Sequence, residues 1–145
     1  MISAEQQSKL IEAAQHGVQN AYTKMSSQDD FRIGCAVLTS EGNIYSSGQY
    51  FSYTQSLTLH AEQGALVVAA SHGEYDIVAI AVTGNTTAFE SSDSKPIYPC
   101  HMCKQILYES NLRSKLDMEV IIANDKSEIV DKFNLSSVIS KPWPL

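Results

Sequence analysis

Two stretches of this chain are short and apolar almost from end to end. Phe31 to Thr39 reads Phe-Arg-Ile-Gly-Cys-Ala-Val-Leu-Thr, and Ile77 to Val82 reads Ile-Val-Ala-Ile-Ala-Val. A strand with one wet face alternates apolar and polar residues; a strand covered on both faces does not. Both runs therefore predict buried strands with a layer of structure on either side, and the chain is expected to form one three-layer α/β domain over residues 1–145.

The remaining elements follow from period and punctuation. Ser3 with Gln6 is a capping box, and Leu10, Ile11, Ala14, Val18 and Ala21 recur at helical spacing, predicting a helix to about Tyr22. Met25 to Asp30 is polar and predicts a loop. Ser40 to Asn43 is a turn, and Ile44 to Gly48 returns as a second strand. Tyr50 to Leu57 has no clean period and reads as loop. Leu59 to His72 is apolar nearly all round, so a buried central helix is expected, with Gly73 at its C-terminal cap and Gly64 allowing close packing. Gly84 to Tyr98 is a long polar loop, after which Pro99 starts a helix from Cys100 to about Leu112. Glu119 to Ala123 and Glu128 to Phe133 are strands separated by four residues, Asn124 to Ser127. A parallel pair needs a long crossover, so these last two strands should be antiparallel. Asn134 is placed to cap a last short helix through Ile139.

Composition narrows the partners. The net charge is −6, and residues 1–72 and 73–145 each carry −3. Neither half is a basic arm, which argues against a dedicated nucleic-acid binder. The three cysteines, Cys35, Cys100 and Cys103, are too few for a disulfide scaffold. The first residues lack a signal-peptide pattern, and no apolar run approaches a membrane-spanning length, so a reducing, cytoplasmic setting without membrane attachment is expected.

The chemistry gathers in two fragments, His60-Ala61-Glu62 and Pro99-Cys100-His101-Met102-Cys103. Cys100 and Cys103 are spaced to share a helix face, and the partial positive charge of a helix N-terminus favours thiolates. His60, Cys100 and Cys103 are three zinc-type ligands. With no fourth cysteine to close the site, one tetrahedral position stays open to water, as in catalytic rather than structural zinc sites. Glu62 lies off the face of His60 and is better placed beside the metal than on it, where a carboxylate can take a proton and pass it to a leaving group. A redox Cys pair, a structural zinc and plain core packing are the competing readings. His101 is read as loop-shaping or substrate-facing, His16 and His72 as solvated helix residues, and Cys35 as core.

His-Ala-Glu followed 37 residues after its Glu by Pro-Cys-x-x-Cys resembles the zinc-dependent nucleoside and nucleobase deaminases. The closing hairpin, the Phe31-Arg32-Ile33-Gly34-Cys35-Ala36 strand and Cys103-Lys104-Gln105-Ile106-Leu107 resemble the small cytidine deaminase branch. The resemblance implies a five-stranded mixed sheet between helical layers and a bound Zn²⁺. It implies a cytosine-type nucleoside or base as substrate, Glu62 as proton shuttle, and a homo-oligomer, tetramer or dimer. It also implies substrate contacts at Phe31, Gln49, Tyr50, Ala61, Pro99 and Cys100, with the backbone of Ala61 and Cys100 reading the ring edge.

Three departures from the family pattern stand out. His60 occupies a position that is usually Cys, and Gln63 one that is usually Arg. One neutral His with two thiolates leaves a zinc centre uncharged, so a neutral Gln63 is the matching neighbour. The family's sugar-binding Asn-x-Glu is absent: it falls on Gln49 and Phe51, or on Tyr50 and Ser52. A modified nucleoside such as blasticidin S, or a free base, therefore stays open as substrate. The apolar tail Lys141 to Leu145, with Trp143, is expected to dock on a surface of its own or of a second subunit.

Overall fold

The structure is a computed structural model and describes residues 1–23, 31–85 and 96–144. The elements run α1 (Ala4–Asn20), β1 (Arg32–Thr39), β2 (Ile44–Gly48), α2 (Ala61–Ser71), β3 (Ile77–Asn85), α3 (His101–Ser114), β4 (Glu119–Ala123) and β5 (Ile129–Asn134). Single 3₁₀ turns cover Gln55–Leu57 and Leu135–Val138. The expected loop at Met25–Asp30 and most of that at Gly84–Tyr98 lie outside the described residues; Gly84 and Asn85 themselves extend β3.

The five strands form one sheet in the order β2-β1-β3-β4-β5. Only β3 and β4 pair in parallel; the other neighbours, β4 and β5 included, are antiparallel. The central strands alternate between two cores, although both of their faces are apolar. Cys35, Val37, Ile80, Val82, Val120 and Ile122 face α2 and α3. Ala36, Leu38, Ala79, Ala81 and Ile121 face Leu10, Ile11 and Ala14 of α1.

The sheet places α2 and α3 together. β2 and β3 both run antiparallel to β1, so β2-α2-β3 and β3-α3-β4 are successive parallel crossovers moving the same way across the sheet. Crossovers of one hand put both helices on one face. Each helix then begins outside the carboxyl end of the strand before it, where α/β sheets bind ligands.

On the other face α1 approaches the β1–β2 ribbon through glycines. A Cβ on Gly34 would lie 2.0 Å from Ala14 O and 2.5 Å from Val18 N, and one on Gly48 would lie 2.3 Å from Gly17 O. These obstacles are backbone and cannot swing aside. The α1 start is the expected full capping box between Ser3 and Gln6.

Four local expectations are corrected. Helix α3 starts at His101 with Cys100 as its N-cap, so Pro99 precedes the cap and is not the first helical residue. The short helix after β5 is only a 3₁₀ turn; the Asn134 side chain makes no cap bond and donates to Asp117 O instead, at 3.2 Å. Helix α2 is buried on one side only, through Ala61, Glu62, Ala65 and Ala69, while Val67 is 62% exposed. Its open side lines a groove of about 630 Å³ against α3, with Leu59, Leu66, Tyr75 and Ile106. The Tyr50–Leu57 segment, read as loop, contains a 3₁₀ turn, and Tyr50 bridges both Tyr22 and Leu59. The C-terminal tail docks on its own chain: Gln105 Nε2 donates to Trp143 O at 2.5 Å and Tyr108 Oη to Pro144 O at 2.8 Å.

Glu74, just past α2, ties that helix to the β1–β2 hairpin. Its carboxylate accepts from Thr39 Oγ1, from Asn43 Nδ2 at 2.8 Å and from Tyr45 Oη at 2.7 Å. These donors hold its pKa below the usual glutamate range, the Thr39 bond contributing most.

Replacing Gly34 with Ala should destabilise the protein by about 1–3 kcal/mol in urea unfolding, because α1 must move off the sheet. Glu74→Gln should also destabilise it. A depressed folded pKa stabilises fully above the unfolded value, so the gap from wild type should be widest near neutral pH. It should close as pH falls through the lowered folded pKa.

Candidate active site

His60 and Cys100 hold equivalent positions: each is the N-cap of its helix, in extended backbone. The His60 Nδ1 atom lies 3.3 Å from Cys100 Sγ and 3.3 Å from Cys103 Sγ. All three donor atoms fall within 4.8 Å of one another, forming the one metal-type group among the described residues. Cys103 is buried, His60 half-buried and Cys100 exposed, so the cluster opens to solvent on the Cys100 side. Cys100 Sγ also accepts from Cys103 N–H at 3.5 Å, so one atom of the cluster caps α3.

Glu62 sits beside the cluster and outside it. It is 4% exposed, and the Cys103 thiol donates to its Oε2 at 3.4 Å. Burial pushes its carboxyl above the usual range; its own backbone N–H, Cys103 and His60 pull the other way. Burial and the Glu62 charge push the Cys103 thiol up as well.

The donor set fits a zinc ion. Bonds of about 2.3 Å to sulfur and 2.0–2.1 Å to nitrogen in a tetrahedron hold such atoms about 3.5 Å apart, close to the observed 3.3 Å. A cation there would also reverse the thiol's protonation, since coordinating thiols are deprotonated.

The remaining candidates scatter around this centre. Ala61 is 1% exposed in the first turn of α2. Pro99 is buried next to the Cys100 cap, and Phe31 is half-buried just before β1. Tyr50 pairs with Leu59 through two backbone bonds of 2.9 and 3.0 Å, and its ring stacks on Tyr22 with centroids 4.9 Å apart. The Gln49 amide is already engaged. Its Nε2 donates to Phe31 O at 2.7 Å, and its Oε1 accepts from Ile33 N at 2.6 Å.

His101 is exposed on the first turn of α3 and is outside the metal-type group. His16 is exposed beside Asn20, His72 stacks on Tyr45, and Cys35 is fully buried in the core. Sequence reasoning did not find the Gln49 clamp, because it joins residues 16 and 18 positions apart. It also read Gln63 only for charge, although the His60–Gln63 spacing is that of a capping box.

The family model of the cytidine and deoxycytidylate deaminase zinc-binding region matches residues 4–116. The chain is 31% identical over 120 residues to a cytidine deaminase of Halalkalibacterium halodurans, covering 83% of this chain and 81% of that one. It is 31% identical over 121 residues to a cytidine deaminase of Sporosarcina psychrophila, covering 83% and 79%. The crystal structure of cytidine deaminase from Burkholderia pseudomallei superposes with a TM-score of 0.78 at 25% identity, covering 98% and 100%. Sheet order and matches together define an enzyme of the hydrolytic deaminase class. Within that class the chain belongs to the cytidine deaminase family.

Replacing Gln49 with Ala leaves Phe31 O and Ile33 N without their side-chain partner. Urea unfolding should show a loss of about 1–3 kcal/mol.

Proposed function

We propose that this chain is a zinc-dependent deaminase that converts a cytosine-type nucleoside, cytidine or deoxycytidine, to its uracil counterpart and ammonia. The observation that carries the reading is the open His60–Cys100–Cys103 cluster with the buried Glu62 carboxylate against it. His60 Nδ1 and the two sulfurs hold the zinc, which when bound supplies the Lewis acidity that activates water at neutral pH. Glu62 takes one proton from that water at a carboxylate oxygen and delivers it to ring N3. It then carries the second to the departing amine, so water enters at C4 and ammonia leaves. The backbone groups of Ala61 and Cys100, at the starts of α2 and α3, orient the ring edge. Phe31, Pro99 and the Gln49–Tyr50 segment border the nucleoside. The same reading places the protein in the cytoplasm.

The same proposal makes the chain a homo-oligomer, tetramer or dimer. Support comes from the apolar groove between α2 and α3 and from the exposure of Leu59, Val67 and Tyr75 along it. Sedimentation at micromolar concentration should give an assembly, and a monomer would contradict it.

Glu62→Gln should retain about one zinc per chain and lower turnover by roughly 10²–10⁴-fold. His60→Ala and Cys103→Ala should lose the metal itself by elemental analysis. Ammonia release should be fastest with cytidine or deoxycytidine in a panel with cytosine, blasticidin S, guanine and adenine. Bound zinc with no ammonia from any of these would make the chain a binding module instead.

A further inference from the structure

Helix α2 begins on a residue outside the usual capping set. An N-cap side chain normally accepts from the N–H of the second or third helical residue, and Ser, Thr, Asp and Asn do this best. His60, the N-cap of α2, is paired with Gln63 in a capping box. Its Nδ1 is turned across to α3, 3.3 Å from both sulfurs. The other two major helices are capped by Ser3 and by the Cys100 sulfur.

The half of that box that holds the His60 backbone comes from the Gln63 side chain. Its Oε1 accepts from the His60 backbone N–H at 2.8 Å, the half of a capping box that runs from the third helical residue back to the cap. The rest of the His60 backbone is held by its neighbours. Its carbonyl accepts from Gly64 N at 3.0 Å, and Leu59 before it is paired on both sides with Tyr50. Gln63 therefore supplies the one side-chain bond that fixes the backbone from which the imidazole projects.

We propose that Gln63 is a positioning residue for the metal site: by holding the His60 N–H it sets where Nδ1 falls relative to the two sulfurs. The inference rests on the zinc reading above. A ligand group must be held within about 0.5 Å of its productive place. Outer partners that orient ligands are typically worth 10–100-fold in metal affinity. Only an acceptor at the end of the side chain is required, so Glu serves in place of Gln and an apolar residue of the same length does not.

The test uses the full-length protein and zinc itself. Zinc affinity is measured by competition with a chromogenic chelator for wild type, Gln63→Met and Gln63→Glu, with His60→Ala as the no-site control. The cobalt(II)-substituted spectra and the melting temperatures of the metal-free proteins are recorded alongside. Gln63→Met should bind zinc about 10–100-fold more weakly and shift the cobalt ligand-field bands. Gln63→Glu should stay within a few-fold of wild type and keep its spectrum. A residue that merely stabilises α2 would lower the metal-free melting temperature of Gln63→Met and leave zinc affinity and the cobalt spectrum unchanged, and that result overturns the proposal. Equal weakening by Met and Glu overturns it too. Zinc binding by wild type no better than by His60→Ala would instead bring down the metal reading, and the positioning role with it.

Discussion

The convergence of two helix N-termini is the constraint on which the rest of this structure depends. Helices α2 and α3 begin side by side because two crossovers of the same hand move one way across the sheet. Each starts with a residue that is its own N-cap and a donor of the metal-type cluster, His60 in one and Cys100 in the other. The N–H groups of the first turns and the helix dipoles there favour thiolates. The buried Glu62 is tolerated at that point because a donor-rich terminus and the Cys103 thiol surround it.

The opposite face of the sheet keeps this edge rigid. Helix α1 lies almost in backbone contact with β1 and β2 where Gly17, Gly34 and Gly48 carry no side chain. The same ribbon leads through Gln49 and Tyr50 to Leu59, one residue before His60. At the far end of α2, Glu74 fastens the hairpin again by three hydrogen bonds. The helix that carries His60 and Glu62 is thus tied to the sheet at both ends, by different parts of one hairpin.

Much of this was legible beforehand. The Ser3–Gln6 box and the apolar runs of β1, β3 and β4 name their elements because helix and strand periods are local. The four-residue link to β5 dictates an antiparallel partner for a purely geometric reason. The donor types and their spacings likewise identify His60, Cys100, Cys103 and Glu62 as one constellation. Helix α2 was misread in part. Its sequence is apolar nearly all round, but an apolar face reports only that it suits a dry neighbour, and here one flank meets the open groove against α3.

By itself, then, the amino-acid sequence determined the element order, the layered α/β class and the side chains offered for chemistry, since each is written in residues a few positions apart. Tertiary structure alone decided that the His60 ring would meet sulfurs 40 and 43 residues away. It also decided that the Gln49 amide would close on the β1 backbone, and that Cys100 rather than Pro99 would mark the start of α3. Those outcomes depend on which surfaces the sheet brings face to face. Local pattern says that a surface needs a partner; only packing of the whole chain says which one it finds.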